Sequence, residues 1–120
     1  MAQNTLPLTY DITVYSGTSY RREFRWLPDR TNPIDFTGWS AVMLLGQQLS
    51  SADVELSTDN GGILLTAFGQ IIITMTPFQT KALKGPVCYF NLDLTEPDGF
   101  VRRFIRGRVS VVIDVKARTP

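Results

Sequence analysis

Apolar and polar side chains alternate along most of this chain, and a period of two is the mark of half-buried strands. Tyr20, Arg22, Phe24 and Trp26 take one parity, while Arg21, Glu23 and Arg25 take the other. Leu8, Tyr10, Ile12 and Val14 likewise share a face opposite Thr9, Asp11, Thr13 and Tyr15, which predicts a strand over 8–15. Ser16-Gly-Thr-Ser19 is a turn, and a hairpin to the Tyr20 strand is the simplest connection. The stretch from Leu27 to Gly38 cannot be helical, because Pro28 and Pro33 each lack an N–H and push the preceding residue towards extended backbone. Ile34 and Phe36 alternate with Asp35 and Thr37, so this loop plugs two apolar groups into a core. Gly38 permits a sharp bend before the apolar strand Trp39–Leu45.

The same punctuation continues downstream. A polar connection, Gly46 to Asp53, carries Gln47 and Gln48 and leads to short strands over 54–57 and 63–66, joined by a turn at Asn60-Gly61. Gln70 to Thr76 forms a third strand, whose continuous Ile71–Ile73 run suggests cover on both sides. Pro77 to Leu83 is the one helix candidate, with Thr76 placed as N-cap, Pro77 at the first helical position, and Phe78, Ala82 and Leu83 on one side. Gly85-Pro86 stops it. Val87–Leu94 is a core strand with Cys88, Phe90, Leu92 and Leu94 on one side, and Thr95-Glu-Pro-Asp-Gly99 is a turn. Phe100–Val115 is a long last strand in which Val101, Ile105, Val109, Val111, Ile113 and Val115 share one parity. Gly107 interrupts it, where a bulge or a change of sheet is expected.

About eight strands, closely spaced turns and one short helix predict an all-β domain, either an antiparallel sandwich or a small barrel. Residues 1–7 read as an N-terminal arm, 8–116 as the domain, and 117–120 as a tail. A length of 120 residues fits one domain. With a net charge of +1, long-range attraction to a polyanion is not built into the totals. No run of about 18 apolar residues exists to cross a membrane as a helix, and the first residues lack the basic and apolar regions of a signal peptide.

Candidate chemistry is sparse. The chain has no histidine, which removes the commonest general base and metal ligand. Its single cysteine, Cys88, rules out an internal disulfide and reads as a small core residue. Two acidic groups, Asp93 with Glu96 and Asp98, and Asp53 with Glu55 and Asp59, match no calcium-loop spacing and read as turn residues. No cofactor motif is present, and no catalytic residue or metal ligand is assigned. Arginine, by contrast, is concentrated: Arg21, Arg22 and Arg25 on one strand, Arg102, Arg103, Arg106 and Arg108 on the last, and Arg30 in the loop. Interleaved with Tyr20, Trp26, Phe100 and Phe104, they resemble a face for single-stranded nucleic acid. The stronger reading is pairing with carboxylates, within the fold or across a protein interface, since the arginines point to both sides of their strands. Trp26 and Trp39 read as core residues, with a carbohydrate-stacking platform as the alternative.

Several segments together resemble a known group. They are Tyr10-Asp-Ile-Thr-Val14, Gly17-Thr-Ser-Tyr-Arg-Arg-Glu-Phe-Arg-Trp26, Asn32-Pro-Ile-Asp-Phe-Thr-Gly38, Thr58-Asp-Asn-Gly-Gly-Ile63, Gly69-Gln-Ile-Ile-Ile73, Thr80-Lys-Ala-Leu83, Tyr89-Phe-Asn-Leu-Asp-Leu94 and Gly99–Val111. The chain resembles small single-domain proteins of tailed bacteriophages and is similar to the immunoglobulin-like N-terminal domains of phage baseplate upper proteins. Phe36 and Trp39 stand where that pattern leads one to expect leucine and tyrosine or valine. The resemblance implies an immunoglobulin-like sandwich without catalytic residues, located in the virion. It would act as a tail or baseplate component, or alternatively as a decoration protein on the major capsid protein. Its expected partners are other virion proteins and further copies of itself. The arm, Gln47 and Gln48, and the arginines are the expected contacts.

Overall fold

A computed structural model describes residues 7–27 and 32–113. The expected arm (apart from Pro7), Arg30, and the chain from residue 114 onward, which includes the expected tail, lie outside the described residues. The described residues form nine strands and one helix, in order: β1 (Leu8–Thr9), β2 (Ile12–Tyr15), β3 (Tyr20–Arg25), β4 (Ser40–Gly46), β5 (Val54–Ser57), β6 (Ile63–Leu65), β7 (Gln70–Met75), α1 (Pro77–Ala82), β8 (Val87–Thr95) and β9 (Val101–Val112). A 3-10 turn, Leu49–Ser51, joins β4 to β5.

These strands form two sheets packed as a sandwich. The larger runs β1–β9–β8–β4–β5, with β2 also on β9, and the smaller runs β3–β7–β6. This connectivity matches the immunoglobulin arrangement, with β3, β7 and β6 in the places of B, E and D, and β4, β8 and β9 in those of C, F and G. Inward residues of both sheets meet in one core that includes Ile12, Val14, Met43, Leu45, Ile71, Ile73, Phe90 and Leu92. Cys88 lies in it beside them, fully buried.

The expected two-residue period holds on β2 and β8, where buried and outward positions alternate. Most of β4 and all of β7 alternate too, so Ile71 and Ile73 are buried while Ile72 is only half-buried and the run is not covered fully on both sides. Phe36 is buried and Ile34 packs against the core, as the loop pattern predicts. Gly38 takes φ +85°, a conformation that favours glycine, at the bend before β4. Helix α1 begins with a capping box: Thr76 Oγ1 accepts the Gln79 N–H at 3.2 Å, and Gln79 Oε1 accepts the Thr76 N–H at 2.9 Å.

Four expectations are corrected. First, residues 8–15 are two strands, and neither forms a hairpin with β3. Both run parallel to β9, pairing Leu8 with Ile105 and Ile12 with Val109, so the sandwich is not purely antiparallel. The chain breaks at Tyr10-Asp11, which leaves Leu8 and Tyr10 exposed rather than in the core. Second, the bulge on β9 lies at Phe104, not at Gly107, because Leu92 faces Ile105 while Asp93 faces Arg103. Phe104 and Ile105 are therefore both buried, and parity reverses across them, which turns Val101 outward. Third, β9 stays in one sheet, and Gly107 serves a close approach by Tyr10. Fourth, Leu83 is buried and Ala82 packs against the core as expected, but Phe78 is 82% exposed, and the buried residue within α1 is Thr80, which holds the helix to the end of the sandwich through hydrogen bonds.

Candidate interaction surface

The alternation that builds the core also decides where the arginines go. On β9, downstream and upstream of the bulge, Arg103, Arg106 and Arg108 all point outward, in rows with Asp93, Asn91 and Tyr89 of β8. The rows continue onto β4 at Val42, Leu44 and Gly46. Gln47 and Gln48 extend from Gly46 and are exposed at the end of the Arg108–Tyr89 row. Arg102 has the opposite parity and folds over the rim of the sheet, where it pairs with Glu96 and covers the Phe100 ring at 5.1 Å.

Arg21 and Arg25 lie on the outer face of the other sheet, so the structure divides the predicted cluster between opposite sides of the sandwich. Arg25 pairs with Glu23 at 3.2 Å, and Glu23 also accepts the Gln70 amide at 2.9 Å. The Gln70 hydrogen bond, then the Arg25 contact, holds the Glu23 carboxyl below its ordinary pKa. Arg22 faces the opening between the sheets, with its guanidinium 4.7 Å from the Tyr10 ring centre and 5.8 Å from that of Phe24. Tyr10 and Phe24 meet edge to face at 5.6 Å.

Several acidic residues of interest are already paired. Asp93 takes two bonds from Arg103, at 2.8 and 3.2 Å, which raises the arginine further above its usual value. Asp53 pairs with Lys84 at 3.3 Å, and Asp98 accepts the Phe100 N–H at 2.9 Å. No group of three potential metal ligands comes together among the described residues. No helix among them is long and apolar enough to cross a membrane.

An open groove of about 440 Å³ lies on the outer face of the larger sheet. Asp11, Leu49, Tyr89, Asn91, Arg106 and Arg108 line it. Asp11 accepts the Arg108 backbone N–H at 3.0 Å and sits 3.8 Å from its guanidinium. Arg106 makes no ion pair among the described residues. Tyr89 and Asn91 were recoverable from the sequence as the parity opposite Cys88 and Phe90. Their meeting with Asp11 was not, because it depends on parallel pairing between the first and last strands.

Trp26 and Trp39 are half-buried and meet edge to face, with planes at 85° and centres 6.2 Å apart. They share no flat face for a sugar ring. Phe36 and Phe104 complete this aromatic cluster at one end of the core. Neither the protein-family models nor the curated proteins contain a match to this chain.

Proposed function

We propose that this chain is a non-enzymatic structural protein of a tailed bacteriophage virion, acting as a tail or baseplate assembly component. The observation that carries the assembly role is the outer face of the larger sheet. It presents Arg103, Arg106, Arg108, Tyr89, Asn91 and Asp93 in regular rows, with Gln47 and Gln48 at one end. Arginine and tyrosine are the residue types that protein interfaces favour, because both combine broad contact with directed hydrogen bonds. Arg106 supports the reading further, since it makes no ion pair among the described residues and can offer its charge to a partner. Assignment to a phage rests on the resemblance of the loop Asn32–Gly38 and the last strand to phage proteins. A capsid decoration protein would use the same kind of face.

The test is uptake by separated particles. Labelled protein is incubated with purified tails and with purified capsids of the phage that encodes it, and each mixture is sedimented. Co-sedimentation with tails, weakened by Arg106→Glu, is the expected outcome. Co-sedimentation with capsids alone would move the protein to the decoration role, and failure to bind either particle would overturn a virion role.

A further inference from the structure

The position of β1 and β2 has a consequence for β3. In the constant-type immunoglobulin sandwich the first strand lies in the same sheet as B. Here it lies beside β9 in the other sheet, and β3 pairs only with β7 among the described residues. The Trp26 N–H donates to the Gly69 carbonyl at 2.9 Å, while the Trp26 carbonyl accepts the Ile34 N–H at 3.3 Å, so Trp26 directs its N–H towards β7 and fixes the phase of the ladder. Antiparallel ladders alternate, so Phe24, Arg22 and Tyr20 also direct their backbone groups towards β7. The Thr74 N–H donates to the Gly62 carbonyl on the other side of β7, in keeping with that alternation. The N–H and C=O groups of Arg21, Glu23 and Arg25 therefore point away from β7, along an edge that no described strand covers.

We infer that β3 is a self-pairing edge, at which a second copy of this chain adds antiparallel with Phe24 opposite Phe24 of the other copy. The register follows from hydrogen bonding and charge. Only registers that place odd-numbered residues opposite odd-numbered ones bring outward backbone groups face to face. Pairing Glu23 with Glu23 sets like charges opposite and also brings Arg21 against Arg25. Pairing Arg22 with Arg22 again sets two cations opposite. Pairing Phe24 with Phe24 places Glu23 opposite Arg25 twice, by the two-fold axis, and sets Arg22 opposite Trp26. It is the one of these three registers with no like-charged pair. The strand thus carries a self-complementary arginine–glutamate–arginine pattern on the face that strand addition would align.

This inference rests on the assembly role proposed above and names one partner for it. Three single-cysteine substitutions read the register directly: Arg22→Cys, Glu23→Cys and Phe24→Cys, each oxidised with oxidised glutathione and run on a non-reducing gel. Opposed residues in a pair not joined by hydrogen bonds have Cα atoms about 4.5 Å apart, within disulfide reach. Native Cys88 is fully buried and stays silent. A dimer from Phe24→Cys alone is expected, whereas a dimer from either of the others, or from none, overturns the inference. Light scattering gives a second readout that needs no change at Phe24. Arg25→Glu should raise the dimer dissociation constant by roughly tenfold or more, and exchanging the charges with Glu23→Arg and Arg25→Glu together should restore it. Arg21→Glu should leave it unchanged, because this register places Arg21 opposite Leu27. Wild-type protein that stays monomeric at every concentration would overturn the edge pairing while leaving particle uptake, and hence the proposed function, to be judged separately.

Discussion

Gly107 of β9 lies against the backbone carbonyl of Tyr10. A Cβ built on Gly107 would fall 2.6 Å from the Tyr10 carbonyl carbon and closer still to its oxygen. The neighbouring contacts explain the approach. The Tyr10 N–H donates to the Arg106 carbonyl at 2.9 Å, and Asp11 accepts the Arg108 N–H at 3.0 Å. The break between β1 and β2 is thus clamped onto β9 from both sides of a glycine. Gly107→Ala must displace backbone, not a flexible side-chain end, and overpacking of this kind costs about 1–3 kcal/mol. Urea unfolding should show a lower midpoint with an unchanged slope. The Tyr10–Phe24 contact should loosen with it, because Tyr10 would be pushed from its position.

Thr80 is a polar residue with no exposed surface, and it ties α1 to the turn between β2 and β3. Its hydroxyl accepts the Gly17 N–H at 3.0 Å and donates to the Thr18 carbonyl at 2.7 Å. Thr80→Val keeps the shape and removes both bonds, leaving a donor and an acceptor poorly satisfied. The expected loss is about 2–4 kcal/mol. Hydrogen exchange at Gly17 should accelerate by more than the average for the core. Thr80→Ser keeps the hydroxyl and should recover most of the stability.

These two contacts show where sequence patterning works and where it stops. Parity alone places Cys88, Leu92 and Val111 inside, because each lies in a strand with one face on the core and one on solvent, and the same alternation places Phe36 inside from a loop. Thr76 and Pro77 announced the start of α1, because capping is a local interaction. The partner of residues 8–15 was not legible, since strand pairing is a long-range choice and a nearby turn made the hairpin look simplest. The bulge at Phe104 is hidden in the sequence for a related reason: one unpaired residue reverses parity, and only the register with β8 reveals it. Among the candidate site residues, the same reversal separates Arg102, folded over the rim, from Arg106 and Arg108 on the open face.

Tyr20 presents a half-buried ring whose hydroxyl is buried and has no hydrogen-bond partner among the described residues. Burial raises its pKa above the ordinary value of 10.0. The folded state therefore holds this proton more tightly than the unfolded state does. The associated stability is present in full below pH 10 and is lost as pH rises from there through the folded value. Tyr20→Phe removes a hydroxyl that makes no bond, so it should be neutral or stabilising by up to about 1 kcal/mol at pH 7. It should also flatten the alkaline limb of the stability curve, measured by urea unfolding at several pH values above 9 and below 12. A variant less stable than wild type at pH 7 would mean that the hydroxyl has a partner after all.

Cys88 should report global unfolding. It has no exposed surface on β8, and burial, with a smaller contribution from the negative charge of Asp53, pushes its thiol up to about 11. Thiolate is the reactive form, so at pH 8 only about one folded molecule in a thousand would carry it, even if the reagent could reach it. An unfolded chain has an accessible cysteine with a pKa near 8.5 and a substantial thiolate fraction. Iodoacetamide should therefore leave the folded protein unmodified over hours and label it at a rate that tracks the unfolded population as urea is raised. Gly107→Ala and Thr80→Val should accelerate labelling at a fixed low urea concentration by about tenfold for each ~1.4 kcal/mol of stability lost. Labelling that stayed fast in Tyr20→Phe and wild type alike without urea would instead require a local opening of β8. That opening would have to break its ladders with β4 and β9 on both sides, which is the costliest separation this sandwich offers.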